Sequence, residues 1–278
     1  MNLSMISLVA LLAGCGGGDS KKPTEPAAQD VTTQAPPPAV DLTSLKAQAE
    51  NVTLVPAPME MQKALDKAGI AETLEGLVQE RKLNFDSQDS DVAAVRTGVV
   101  LADTLLTVKS APPEKLVARM EAVKKGMVTV KAGGDIVKTI DDLIGEINNL
   151  GGGSRNELVK ELDEMHAAII PEIEYEAGEQ IVPLIQAGSW LEGSNLLASA
   201  ILKANRPEVA NDLLRQPSVC DYFLKYVDVA GKSKAPDEVV KQLRTTLEKL
   251  KEISVKPSLT IEDVQEVKKQ TDTVLGML

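Results

Sequence analysis

Few residues in this chain of 278 are equipped for catalysis. It holds one His, one Trp and two Cys, so His166 has no second imidazole with which to share a metal or a proton relay. Asp163 stands three residues before His166, the carboxylate-His spacing of di-iron bundles, but those sites need the pair twice. His166 therefore reads as a residue at the edge of an apolar stripe with acidic neighbours. Glu172, Glu174, Glu176 and Glu179 follow Pro171 and read as the acidic start of a helix opened by that proline, where negative charge suits the helix dipole. Cys220 shares a helical face with Phe223, Leu224 and Val227, the setting of a small apolar core residue rather than a nucleophile. The richest set is Arg96 and Asp103 on one very apolar segment, with Ser189, Trp190, Glu192, Ser199 and Lys203 on another. Seven residues bring Arg96 and Asp103 back to about the same side of a helix. If both polar edges face inward, Arg96, Asp103, Trp190 and Glu192 line a ligand pocket, and charges buried there must pair or bind something. The competing expectation is that each edge is simply where its helix meets water. No nucleophile-base pair, metal cluster or Gly-rich phosphate loop is in view, so no catalytic residue, metal or cofactor is expected, and an enzyme is disfavoured.

The elements that must position these residues are helices. Leu116, Met120, Val123, Met127 and Val130 repeat at helical spacing. So do Ile136, Ile140, Leu143, Ile147 and Leu150, then Leu158, Leu162, Met165 and Ile169, and later Val240, Leu243, Leu247 and Leu250. Pro112-Pro113-Glu114 and Pro236-Asp237-Glu238 read as helix openings. Ser154 with Glu157 reads as a capping box, and Thr260 with Asp263 as a near one. The predicted fold is all-α, with eight to ten mostly antiparallel helices in a bundle or an array of helix hairpins. Two segments, after Asp89 and from Ile181 to Leu202, are apolar on more than one face and belong at the centre. Gly188 and Gly193 flank Trp190 and would admit a close neighbour, and Pro183 is expected to kink the turn before the indole. A weak likeness between the stretches starting at Gly98 and Gly193 allows two divergent halves meeting near 151–154.

The N-terminus carries an address. Residues 1–14 have no charge, and Ile6 to Leu12 form an apolar run too short to span a membrane. The run ends in Leu12-Ala13-Gly14-Cys15, which resembles the lipobox of bacterial lipoproteins, although no Lys or Arg precedes it. The resemblance implies a signal peptide over 1–14, cleavage before Cys15, and a membrane anchor through lipid on Cys15. Gly16 in place of Asp after that Cys implies the outer membrane, facing periplasm or surface. Residues 16–41 are rich in Pro, Gly, Gln and Thr and end in Pro36-Pro37-Pro38; with Cys15 they read as a disordered tether ahead of a helical domain over 42–278.

The order Arg96-Thr-Gly-Val-Val-Leu-Ala-Asp103, then Ala187-Gly-Ser-Trp-Leu-Glu192, is similar to a group of uncharacterised, all-helical, lipid-anchored envelope proteins. That resemblance implies fold and address and adds nothing on chemistry. With 41 Asp+Glu against 30 Lys+Arg, a net charge of −11, nucleic acid is not expected as a partner, because no basic surplus is available to release phosphate counterions. The functional expectation is a non-catalytic, lipid-anchored binding module for an unknown small ligand or envelope protein. The alternative is a scaffold or membrane-associated adaptor that exposes an amphipathic helix, such as the C-terminal one with its mixed face of Glu262, Asp263, Glu266, Lys268, Lys269 and Asp272.

Overall fold

The computed structural model describes residues 55–86, 89–149, 155–231 and 237–278. The leader, Cys15, the tether, Leu150, Ser154 and the junction at 151–154 lie outside the described residues. Every regular element among the described residues is helical: α1 Pro58–Ala68, α2 Ser90–Thr107, α3 Pro113–Thr129, α4 Gly134–Asn148, α5 Arg155–Ala177, α6 Ile181–Ala204, α7 Ala210–Leu213, α8 Pro217–Tyr226, α9 Asp237–Ser254 and α10 Ile261–Leu275. Short 3₁₀ turns at Ala71–Thr73, Glu75–Leu77 and Pro207–Val209 fill the connections, and α8 runs into one π turn, Val227–Gly231.

Local signals set most helix ends. Pro58, Pro113 and Pro217 open α1, α3 and α8 in the first turn, where a missing N–H costs nothing. The Asp89 carboxylate accepts from the amides of Asp91 and Val92 at the start of α2, and Thr260 forms its capping box with Asp263. Gly69 ends α1 at φ 70°, a left-handed conformation that favours glycine.

The all-round apolar segments became α2 and α6, packed against each other at the centre. On one side lies a core of Leu116, Met120, Ile140, Ile147, Leu162 and their neighbours from α3, α4 and α5. On the other lies a core from α6, α8, α9 and α10, including Leu196, Ile201, Phe223, Leu250 and Val264. Consecutive helices joined by the turns Val108–Pro112, Val130–Gly133 and Val255–Thr260 pack together as neighbours.

Two local expectations are corrected. Pro171 does not open a helix; it lies inside α5. Buried Ile169 and Ile173 on either side of it hold the helix to the core through the lost ladder bond. Glu172, Glu174 and Glu176 therefore occupy the last turns of a helix, and the dipole argument made for them does not apply. Pro183 falls in the first turn of α6, where its nitrogen has no partner to lose, so it has no reason to kink the helix below Trp190.

Candidate functional site

The pivot of the molecule is the crossing of α2 and α6. A Cβ built on Gly98 would lie 2.0 Å from the carbonyl oxygen of Ile185, and one on Gly188 would lie 2.0 Å from that of Val95. Each glycine thus receives the backbone of the other helix. Ser189 Oγ–H donates to the Gly98 carbonyl at 2.9 Å, which pins the crossing. Gly193 faces the Met61 sulfur of α1, so of the glycines flanking Trp190 one admits a backbone and the other a side chain.

This approach brings two carboxylates together inside the protein. Asp103 of α2 and Glu192 of α6 are both buried and lie within reach of a hydrogen bond once one of them carries a proton. Arg81, from the irregular segment after the Glu75–Leu77 turn, donates from Nη1 to Glu192 Oε2 at 2.6 Å. Burial raises the pKa of both acids. It raises that of Asp103 well above the usual carboxylate range, reinforced by the charge of Glu192, whereas Arg81 and the Asp103 hydrogen bond hold Glu192 back. The consistent state is a protonated Asp103 donating to an ionised Glu192 that is neutralised by Arg81. Asp103 Oδ1, Glu192 Oε1 and Arg81 Nη2 are buried without a hydrogen-bond partner among the described residues. The same segment is held at two more points: Arg119 of α3 grips Glu75 at 2.8 and 3.2 Å, and Gln79 donates to Asp272 of α10. Asp272 also accepts from Asn195 of α6 at 2.7 Å.

A proton held by the fold must register in stability. Because the folded pKa of Asp103 lies above its ordinary 3.8, the native state binds more protons than the unfolded chain between those two values. The stability contributed by Asp103 is therefore fullest below about pH 4 and falls as pH rises toward the folded pKa, by up to about 1.4 kcal/mol per pH unit. Asp103→Asn, which keeps a donor but cannot ionise, is expected to flatten this contribution. Urea unfolding from pH 4 to 8 checks it, and parallel pH profiles for the two proteins would refute the assignment.

The expected constellation is thus split, and the correction has a simple cause. Arg96 and Asp103 lie on about one side of α2 but roughly 10 Å apart along it, and each meets different neighbours. Arg96 donates from Nε to the Leu278 carbonyl at 2.9 Å and from Nη1 to that of Asn84, fixing the end of α10 against α2. Ser199 is buried, Lys203 is in solvent, and neither joins Asp103. Trp190 sits apart from the charges. It is 3 % exposed, donates from Nε1 to Gln216 Oε1 at 2.7 Å, and lies against Phe223 with ring centroids 5.4 Å apart.

What Trp190 does line is an apolar groove of ≈ 340 Å³. Val92 and Val95 of α2, Leu184 and Leu191 of α6, and Tyr226 and Val227 at the end of α8 form one part of its wall. Val239, Val240 and Leu243 of α9 with Val274, Met277 and Leu278 extend it, and Asp89 and Asp91 add two carboxylates to an otherwise mostly apolar lining. The sequence pointed to α9 without being understood: its stripe is complete, but only Leu247 and Leu250 are buried, while Val240 and Leu243 are half covered. The π turn continues the Tyr226–Val227 wall, a distortion common beside functional sites. A volume near 300 Å³ with apolar lining is the lower range of small-molecule sites. A second cavity of ≈ 310 Å³ lies between Val55–Pro58, His166 and Gln186.

His166 is half-buried, and burial lowers its pKa, partly offset by Asp163 and Glu60. No group of three or more potential metal ligands occurs among the described residues. Cys220 is 1 % exposed, with its thiol pushed up to about 12 chiefly by burial. Native protein is therefore expected to leave Cys220 unlabelled by maleimide over an hour at pH 7.5 and to label fully in urea; rapid native labelling would contradict the packing of α8.

In comparisons with known proteins, the chain matches no family model, no curated protein and no solved structure.

Proposed function

We propose that this chain is a lipid-anchored binding module of the bacterial cell envelope, held through Cys15 on the tether of residues 16–41 and acting by binding apolar ligands rather than by catalysis. The observation that carries the binding part is the groove beside Trp190: an apolar slot between five helices, with the only indole of the chain in its wall. The lipobox, with Gly16 behind Cys15, supports the address and favours the outer membrane. The scaffold reading loses support at α10, whose Val264, Val267, Thr271, Val274 and Leu275 are buried, leaving no apolar face to offer a bilayer. No helix among the described residues is long and apolar enough to cross a membrane, so attachment in this reading depends on Cys15.

Two readouts test the proposal. The intact mass of wild-type protein from native membranes should correspond to an acylated chain beginning at Cys15, and Cys15→Ser should release it; an unmodified N-terminus at Met1 would overturn the address. A neutral naphthalene-type probe should change Trp190 emission at micromolar concentrations. Emission that stays unmoved with every apolar probe would overturn the binding role.

A further inference from the structure

We propose that the groove takes the alkyl chain of a membrane lipid, one chain at a time; this rests on the binding reading above and names its ligand class. The lining runs from Leu184 to Leu191 on α6 and from Val239 to Leu247 on α9, about 10–12 Å along each helix. A volume of ≈ 340 Å³ spread over that length has a cross-section of about 30 Å². A partner helix with its side chains needs roughly 80 Å² or more. An alkyl chain, whose neighbours pack at about 3.5–4.0 Å, needs roughly 20 Å². The slot is wide enough for a single alkyl chain.

The chemistry of the wall narrows the class further. The Trp190 N–H is engaged by Gln216, the Tyr226 hydroxyl by the Gln180 carbonyl and the Thr246 hydroxyl by Gln270, while the Leu278 carbonyl accepts from Arg96. A ligand with polar groups along its length, whether peptide, sugar or nucleotide, would give up water there for poor replacements. Hydrocarbon loses nothing. Asp89 and Asp91, at the start of α2, are the charged residues of the lining. Met277 on the groove wall is 44 % exposed, apolar surface that a lipid would partly cover. A cavity of roughly 150 Å³ accepts benzene; by that measure this one accommodates on the order of a dozen carbons.

The test uses the full chain with Cys15→Ser, which carries no acyl group of its own. Titration with straight-chain primary alcohols from hexanol to hexadecanol, read by Trp190 emission, should show binding that tightens about fourfold per methylene and levels off near twelve carbons. Incubation with phosphatidylethanolamine vesicles, followed by their removal, should leave about one lipid per chain. Ala187→Phe fills the slot and should abolish both signals. Because that variant could disturb the adjacent Gly188 crossing, Val240→Asp, at a half-buried wall position, should weaken binding at least tenfold with unchanged helix content. If the naphthalene probe binds but the alcohols show no dependence on length, the lipid assignment falls and the binding role stands. If the length dependence survives in both variants, the site lies elsewhere and the assignment falls. Dimerisation at micromolar protein with no lipid retained would assign the groove to a second copy and likewise overturn it.

Discussion

Gly188→Ala is expected to lower the unfolding free energy by about 3 kcal/mol, the upper end of overpacking costs. Its new methyl would lie 2.0 Å from the Val95 carbonyl oxygen, a backbone atom that no rotamer change can move. The α2–α6 pair must separate, and with it the Ser189–Gly98 hydrogen bond and both cores that flank the pair. Gly98→Ala meets Ile185 in the same way and should cost a similar amount; the double variant should cost less than the sum, since one separation relieves both clashes. Gly145→Ala is the control. That glycine lies on the exposed face of α4 with nothing near its Cβ, and alanine there should stabilise by up to about 1 kcal/mol. Urea unfolding followed by Trp190 emission measures all four, and a neutral Gly188→Ala would mean that the helices do not cross at this point.

Arg81→Ala is expected to cost about 3–5 kcal/mol at neutral pH, because it leaves Glu192 ionised, buried and without its cation. The loss should shrink as pH falls, since protonation of Glu192 removes the uncompensated charge. Replacing Arg81 and Glu192 together by Met and Leu should recover most of the stability, because an apolar pair of similar volume avoids both desolvation penalties. If the single and the double variant are equally destabilised, Arg81 contributes through packing of its stem and not through its charge. Neither Arg81 nor Glu192 lines the groove, so at temperatures where each variant remains folded, binding of alkyl chains should persist.

The helices were legible because their signals are local. Stripes at 3- and 4-residue spacing, prolines in first turns, Gly69 and the Thr260–Asp263 box act over one or two turns, and the structure follows them. The central position of α2 and α6 was legible for the same reason, since a segment apolar on every face has to be covered on every face. The site was only partly legible. Glu192 and Asp103 do meet, as inward polar edges on facing helices should, but the cation that completes them is Arg81, in a segment without periodicity whose course no local rule specifies. Arg96 lies on the Asp103 side of α2, but a seven-residue spacing fixes only an angle around the helix, and the two turns between them give each residue different neighbours. Trp190 does line a groove, as its place in the candidate pocket implies, but the facing wall comes from α8, α9 and α10, brought together only by tertiary packing. Pro171 misled because its cost in mid-helix is real, and the buried Ile169 and Ile173 that offset it are visible only once the core is assembled.

The most direct test of the central claim, that the slot beside Trp190 is the binding site of a membrane-anchored module, is photocrosslinking in native membranes with a diazirine-bearing fatty acid, followed by peptide mapping. The account predicts adducts on the stretches Leu184–Leu191 and Val239–Leu247, lost in Ala187→Phe. Adducts confined to the cavity beside His166, or to exposed Val128 and Tyr175, with the groove unlabelled, would contradict it.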